Sequence, residues 1–177
     1  MEPPELDPGF FQVPTHIQVV GTLGAAEFHW HFSQGIRALE ENLYIPGVLS
    51  LLTGIEASLR LTLYRANSDK FPFEGDLGPV LSNSLLRQAR EQGLPVDLLA
   101  FADEPDFAAM LNARKPEVRI VQVRNDLAHG NIQKYVNRDL GDEVAFFTPE
   151  CLRPIAHELQ ALALRWAEGL ARSRSAA

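Results

Sequence analysis

Six apolar residues, Val48, Leu51, Leu52, Ile55, Leu59 and Leu63, recur three or four positions apart. That spacing returns each side chain to one face of an α-helix, so it predicts a single amphipathic helix from about Pro46 to Arg65. Pro46 suits the first turn, where no backbone N–H is needed. A stripe this apolar must be buried against other elements, and the same period recurs elsewhere in the chain. Phe28, Phe32, Ile36, Leu39 and Leu43 predict a helix over about 25–42. Leu152, Ile155, Leu159, Leu162 and Trp166 predict another over about 148–171, opened by Thr148-Pro149-Glu150: a capping hydroxyl, a proline and an acid. Helices stacked on helices are the layer architecture that satisfies such stripes.

Shorter segments fill the rest. Tyr44-Ile45-Pro46-Gly47 reads as a break, and 67–78 as a loop holding Pro72, Gly75 and Gly78. A helix is expected over 79–92, stopped by Gly93. A short one follows over 95–101, and another to Asn112 after Asp103-Glu104-Pro105. A further helix spans 115–130, with Gly130 or Asn131 as its stop. Residues 1–9 carry three prolines and three acids and read as a loose lead-in. Phe10-Phe11-Gln12-Val13 and Ile17-Gln18-Val19-Val20 read as extended runs split by Pro14, and 137–147 as a small hairpin or a loop crossing the bundle. The expected fold is all-α in the main: four to five principal helices with short helices and a minor extended or hairpin segment. The N-terminal extended segment takes residues 1–24 and the helical domain 25–177.

Composition narrows the function classes. Hydrophobic residues make up 46% of the chain, enough for a core. No run of about eighteen apolar residues occurs, so no membrane span is expected. The start, Met1-Glu2-Pro3-Pro4-Glu5, lacks the basic and apolar regions of a secretory signal. The single cysteine, Cys151, excludes an intramolecular disulfide and cysteine-rich metal sites. A cytoplasmic location is the expectation. The formal net charge of −7 argues against broad electrostatic binding of nucleic acid. Any action on RNA would need positive charge focused at one place, for example by pairing two chains.

One stretch carries chemistry: Arg124-Asn125-Asp126-Leu127-Ala128-His129-Gly130-Asn131. On a helical wheel, Val118, Ile120, Val121, Val123, Leu127, Ala128 and Ile132 form a wide apolar arc. Arg124 falls near the middle of that arc, His129 at its edge, and Asp126 and Gln122 on the opposite side. A cation aimed at an apolar face needs a carboxylate, an interface or a ligand. Glu56, on the shoulder of the stripe of the 46–65 helix, is one candidate partner. Arg60, four residues on, competes for that carboxylate locally.

The other polar candidates are weaker. His29 and His31, two apart on a helix, point to different faces and make a poor metal pair, which neither His16 nor His157 completes. No metal and no cofactor is expected. Cys151 sits in a first turn, where a thiol pKa can fall, but no nucleophile signature surrounds it. Gly21-Thr22-Leu23-Gly24 lacks the lysine and spacing of a phosphate loop. Arg60, Arg65, Arg114, Lys115 and Arg119 read as solvated charges unless they line the same cleft as Arg124.

Arg124, Asn125 and His129, on the penultimate long helix of an α bundle, resemble the signature of the HEPN superfamily: Arg, four to six residues, then His, with a polar residue beside the Arg. The Ala128-His129-Gly130-Asn131 continuation is similar to HEPN proteins of bacterial toxin and defence systems. Gly54–Arg60 is similar to the family's second helix. The resemblance implies a metal-independent endoribonuclease working as a homodimer, with motifs from both chains in one cleft and an antitoxin or other partner protein. It implies His129 as acid or base, Arg124 as a donor fork to phosphate, and Asn125 as a holder of His129 or of a phosphate oxygen. Glu56 and Asp126 are supporting residues, Asp126 being read as a surface carboxylate or dimer contact. The alternative is a non-catalytic HEPN module for dimerisation, partner-protein binding or nucleotide binding. A plain helical adaptor would instead bury Arg124 fully against Glu56 and leave no cleft.

Overall fold

The computed structural model describes residues 26–67, 78–138, 141 and 145–175. Six α-helices are found there: α1 (Ala26–Glu40), α2 (Tyr44–Asn67), α3 (Asn83–Glu91), α4 (Phe107–Asn112), α5 (Arg119–Ala128) and α6 (Arg153–Ser175). Short 3-10 turns occur at Val96–Leu99, Ile132–Tyr135 and Pro149–Leu152. No strand occurs among the described residues. The architecture is all-α.

The central element is α2, which packs against α1, α3, α5 and α6. All six of its stripe residues, Val48 to Leu63, are buried. The expected last stripe is buried too, with Leu152 in the 3-10 turn that precedes α6 and Ile155, Leu159, Leu162 and Trp166 on α6 itself, and in the interior the Trp166 indole N–H donates to Ser58 Oγ at 2.8 Å. Between α1 and α2 the backbones approach closely at two glycines. A Cβ on Gly35 would lie 3.2 Å from the Gly47 carbonyl, and one on Gly47 would lie 3.2 Å from the Gly35 carbonyl.

Several boundaries differ from expectation for physical reasons. The α1 helix ends at Glu40, because Asn42 adopts a left-handed φ of 58° and turns the chain. Leu43 therefore leaves the stripe and is exposed. The α2 helix starts at Tyr44, so the expected break shrinks to the turn before it, and Pro46 falls inside the first turn. The start of α5 shifts from Lys115 to Arg119 because tertiary groups take its first donors. Asn83 Oδ1 accepts the Val118 N–H at 3.1 Å, and Glu104 Oε1 accepts the Arg119 N–H at 2.7 Å. The expected N-terminal extended runs lie outside the described residues, as do 139–140 and 142–144 of the expected hairpin; its described residues form no strand. No helix among the described residues is long and apolar enough to cross a membrane.

Candidate functional site

The site is built where α5 crosses α2. Ile120, Val121 and Val123 are buried in the core and fix the rotation of α5. That rotation turns Arg124 toward α2, where its Nε donates to Glu56 Oε2 at 3.3 Å. The other Glu56 oxygen accepts from Arg60 Nη1 at 3.4 Å, so the two candidate partners share one carboxylate. Arg60 Nη2 also donates to the Gly78 carbonyl at 2.8 Å. Arg60 thus shares the carboxylate of Arg124 but does not line its groove. Arg119 does neither: it pairs with Asp103 and lies over the Phe101 ring, 4.7 Å from its centroid.

Arg124 is not sealed in. Its side chain is 22% exposed and borders a groove of about 300 Å3 lined by Leu49, Leu52, Thr53, Glu56 and Ala128. A guanidinium has five N–H donors. One goes to Glu56 and one, from Nη1, to Asn125 Oδ1 at 3.2 Å, which leaves three without a partner among the described residues. The full burial that a plain adaptor would require is absent.

Asn125 connects outward. Its Nδ2 donates to Glu117 Oε2 at 3.2 Å, so Glu117, Asn125, Arg124, Glu56 and Arg60 form one polar chain. Asn125 is therefore a holder of Arg124, and no bond links it to the His129 ring.

His129 stands apart from this chain. It is the C-cap of α5, is exposed, and its ring makes no hydrogen bond among the described residues. It does not line the Arg124 groove. The helix end is a Schellman turn. Gly130 takes a φ of 73°, its N–H donates to the Leu127 carbonyl at 3.4 Å, and the Asn131 N–H donates to the Asp126 carbonyl at 2.7 Å.

Asp126 corrects an expectation. It is not a surface carboxylate but only 7% exposed, because the chain after His129 folds back over it. Its carboxylate receives Lys134 Nζ at 2.6 Å, the Tyr135 hydroxyl at 3.1 Å and Asn131 Nδ2 at 3.5 Å. Burial, and then the Asp126 carboxylate beside it, push the Tyr135 phenol above its usual value.

Sequence reasoning missed Glu117, Asn83 and Glu104. Asn83 also donates to the Met110 carbonyl at 3.0 Å, and with Glu104 it anchors the start of the site helix. Glu104 had a usable signal as an acid beside a proline, but its target lies fifteen residues on in α5. Among the described residues no group of three His, Cys, Asp or Glu side chains is placed to hold a metal ion. Hydrogen bonds from the backbone N–H of Thr148, and then of Asn137, hold the Cys151 thiol below its usual value.

Comparison of the chain with protein-family models, with curated proteins and with solved structures finds no match.

Proposed function

We propose that the protein is a HEPN-like, metal-independent endoribonuclease of a toxin or defence type that acts as a homodimer. The observation that carries this reading is the state of Arg124. It is oriented by Glu56 and Asn125, yet faces a groove with three donors that have no partner among the described residues. Such a fork suits a phosphate and the extra charge of its pentavalent state. Cleavage by the RNA's own 2′-hydroxyl further needs a group that takes and returns a proton, and an exposed histidine supplies one. Within one chain His129 lies around the helix end from the Arg124 groove. Two chains related by symmetry across the α2–α5 face would let each motif meet the other's, and would concentrate the positive charge that a chain of net charge −7 otherwise lacks.

The test is RNA cleavage in excess chelator. Wild-type protein is expected to cleave. Arg124→Ala and His129→Ala are expected to lose the activity by a factor on the order of 100 or more while melting as cooperative folded proteins. A wild type that leaves every RNA intact, with and without divalent metal, removes the enzyme reading. The second reading, a non-catalytic module of the same family, rests on the Glu56–Arg124 bond, which partly neutralises the guanidinium. It expects no cleavage but a ligand-dependent rise in melting temperature.

A further inference from the structure

Asp126 is an improbable residue for its place. It lies in the last turn of α5, where the helix dipole disfavours an anion and a lysine or arginine is the stabilising choice. It is also buried, which adds a desolvation cost to a carboxylate. The chain nevertheless surrounds it with three side-chain donors, from Asn131, Lys134 and Tyr135. All three lie just beyond His129. Its backbone carbonyl holds the same segment through the Asn131 N–H. His129 is thus enclosed in the loop from Asp126 to Asn131, closed at its base through both the main chain and the side chain of one residue.

This matters because the His129 ring has no hydrogen-bond partner of its own among the described residues. Where the side chain leaves the helix is set by the backbone, and that backbone is held by the closure of the loop. The Schellman turn fixes the first residues after the helix. The carboxylate then draws the Ile132–Tyr135 turn back along α5, on the side away from Arg124 and its groove. A helix end would otherwise fray.

We propose that Asp126 is a positioning residue for His129: its clasp on Asn131, Lys134 and Tyr135 holds the stretch of backbone that carries the imidazole at the end of α5, from which the ring serves the reacting phosphate. The reaction named here rests on the ribonuclease reading; the clasp itself does not.

The experiment compares the full-length wild type with Asp126→Ala, Asp126→Asn and Tyr135→Phe. Amide hydrogen exchange at 129–131 and the NMR line shape of the His129 ring report the clasp, while kcat and KM on RNA report its use. In Asp126→Ala, exchange at 129–131 is expected to quicken on the order of tenfold with the core amides unchanged. The His129 ring signal should move or broaden, and kcat should fall roughly tenfold to a hundredfold with KM little altered. Asp126→Asn keeps one acceptor oxygen in place of two and should recover part of the loss. Tyr135→Phe should show the same direction to a smaller degree, and it decides the matter if Asp126→Ala does not fold. Unchanged exchange and unchanged kcat in these variants overturn the proposal, as does a rise in KM at intact kcat. If the wild type cleaves no RNA, the nuclease reading falls and the two NMR readouts decide the clasp alone: faster exchange with a shifted ring supports it, and no change overturns it.

Discussion

The Glu56 carboxylate joins two helices and two guanidiniums: Oε2 takes Arg124 Nε at 3.3 Å, and Oε1 takes Arg60 Nη1 at 3.4 Å. Glu56 is only 13% exposed in its side chain and Arg124 22%, so the pair is screened less than a surface bridge. Removing Glu56 leaves two cations side by side. Glu56→Ala is expected to cost about 1–3 kcal/mol in urea unfolding. A double-mutant cycle with Arg124→Ala should give a coupling of at least about 0.5 kcal/mol. Strict additivity would mean that the helices do not communicate through this carboxylate.

The Trp166–Ser58 bond ties α6 to α2 inside the core. Both residues are fully buried, and the Ser58 hydroxyl donates in turn to the Ile55 carbonyl at 2.8 Å. Ser58→Ala strands the indole N–H and should lower stability by about 1–3 kcal/mol, seen as a lower denaturant midpoint at unchanged slope. Trp166→Phe in that background should cost less than in the wild type, since the stranded donor is gone.

At the α1–α2 crossing, a Cβ on Gly47 would lie 2.4 Å from Leu39 Cδ2 as well as close to the Gly35 carbonyl. Leu39 can move, but the carbonyl cannot without separating the helices. Gly47→Ala should therefore destabilise by about 1–3 kcal/mol despite alanine's better helix propensity. A rise in melting temperature would show that the helices have room to part.

Burial pushes the Glu104 carboxyl above its usual value, and the Arg119 and Phe101 backbone N–H groups offset this only in part. A carboxyl raised by folding binds its proton more tightly in the native state. Its contribution is complete below the unfolded carboxyl value and is lost as pH rises through the raised native one. The stability of the wild type relative to Glu104→Gln should therefore fall as pH rises from the acid side toward neutrality. Melting curves of both proteins over that range check the sign, and a difference that grows with pH would contradict it.

The elements differ in how far their sequence alone determines them. The stripes of α2 and α6 were readable because their neighbours in sequence are also their neighbours on one buried face. The inward turn of Arg124 was readable for the same reason: three buried residues on α5 fix its rotation. The α5 start was not, because its first N–H groups are capped by Asn83 and Glu104, partners set by the tertiary fold. Nor was the burial of Asp126, since a helical wheel does not register that 131–135 folds back onto it. The wheel placed His129 at the edge of the apolar arc, about 140° round from Arg124, and the structure leaves it outside the Arg124 groove.

That separation makes the two-chain site the claim most open to direct test. Arg124→Ala and His129→Ala proteins, each inactive alone, are dissociated, mixed and reassociated, and RNA cleavage in chelator is then measured. If Arg124 of one chain works with His129 of the other, the mixed dimer holds one intact pairing, and cleavage reappears in the mixture. A mixture that forms dimers yet stays as inactive as its components, beside a wild type that cleaves, would contradict the two-chain site.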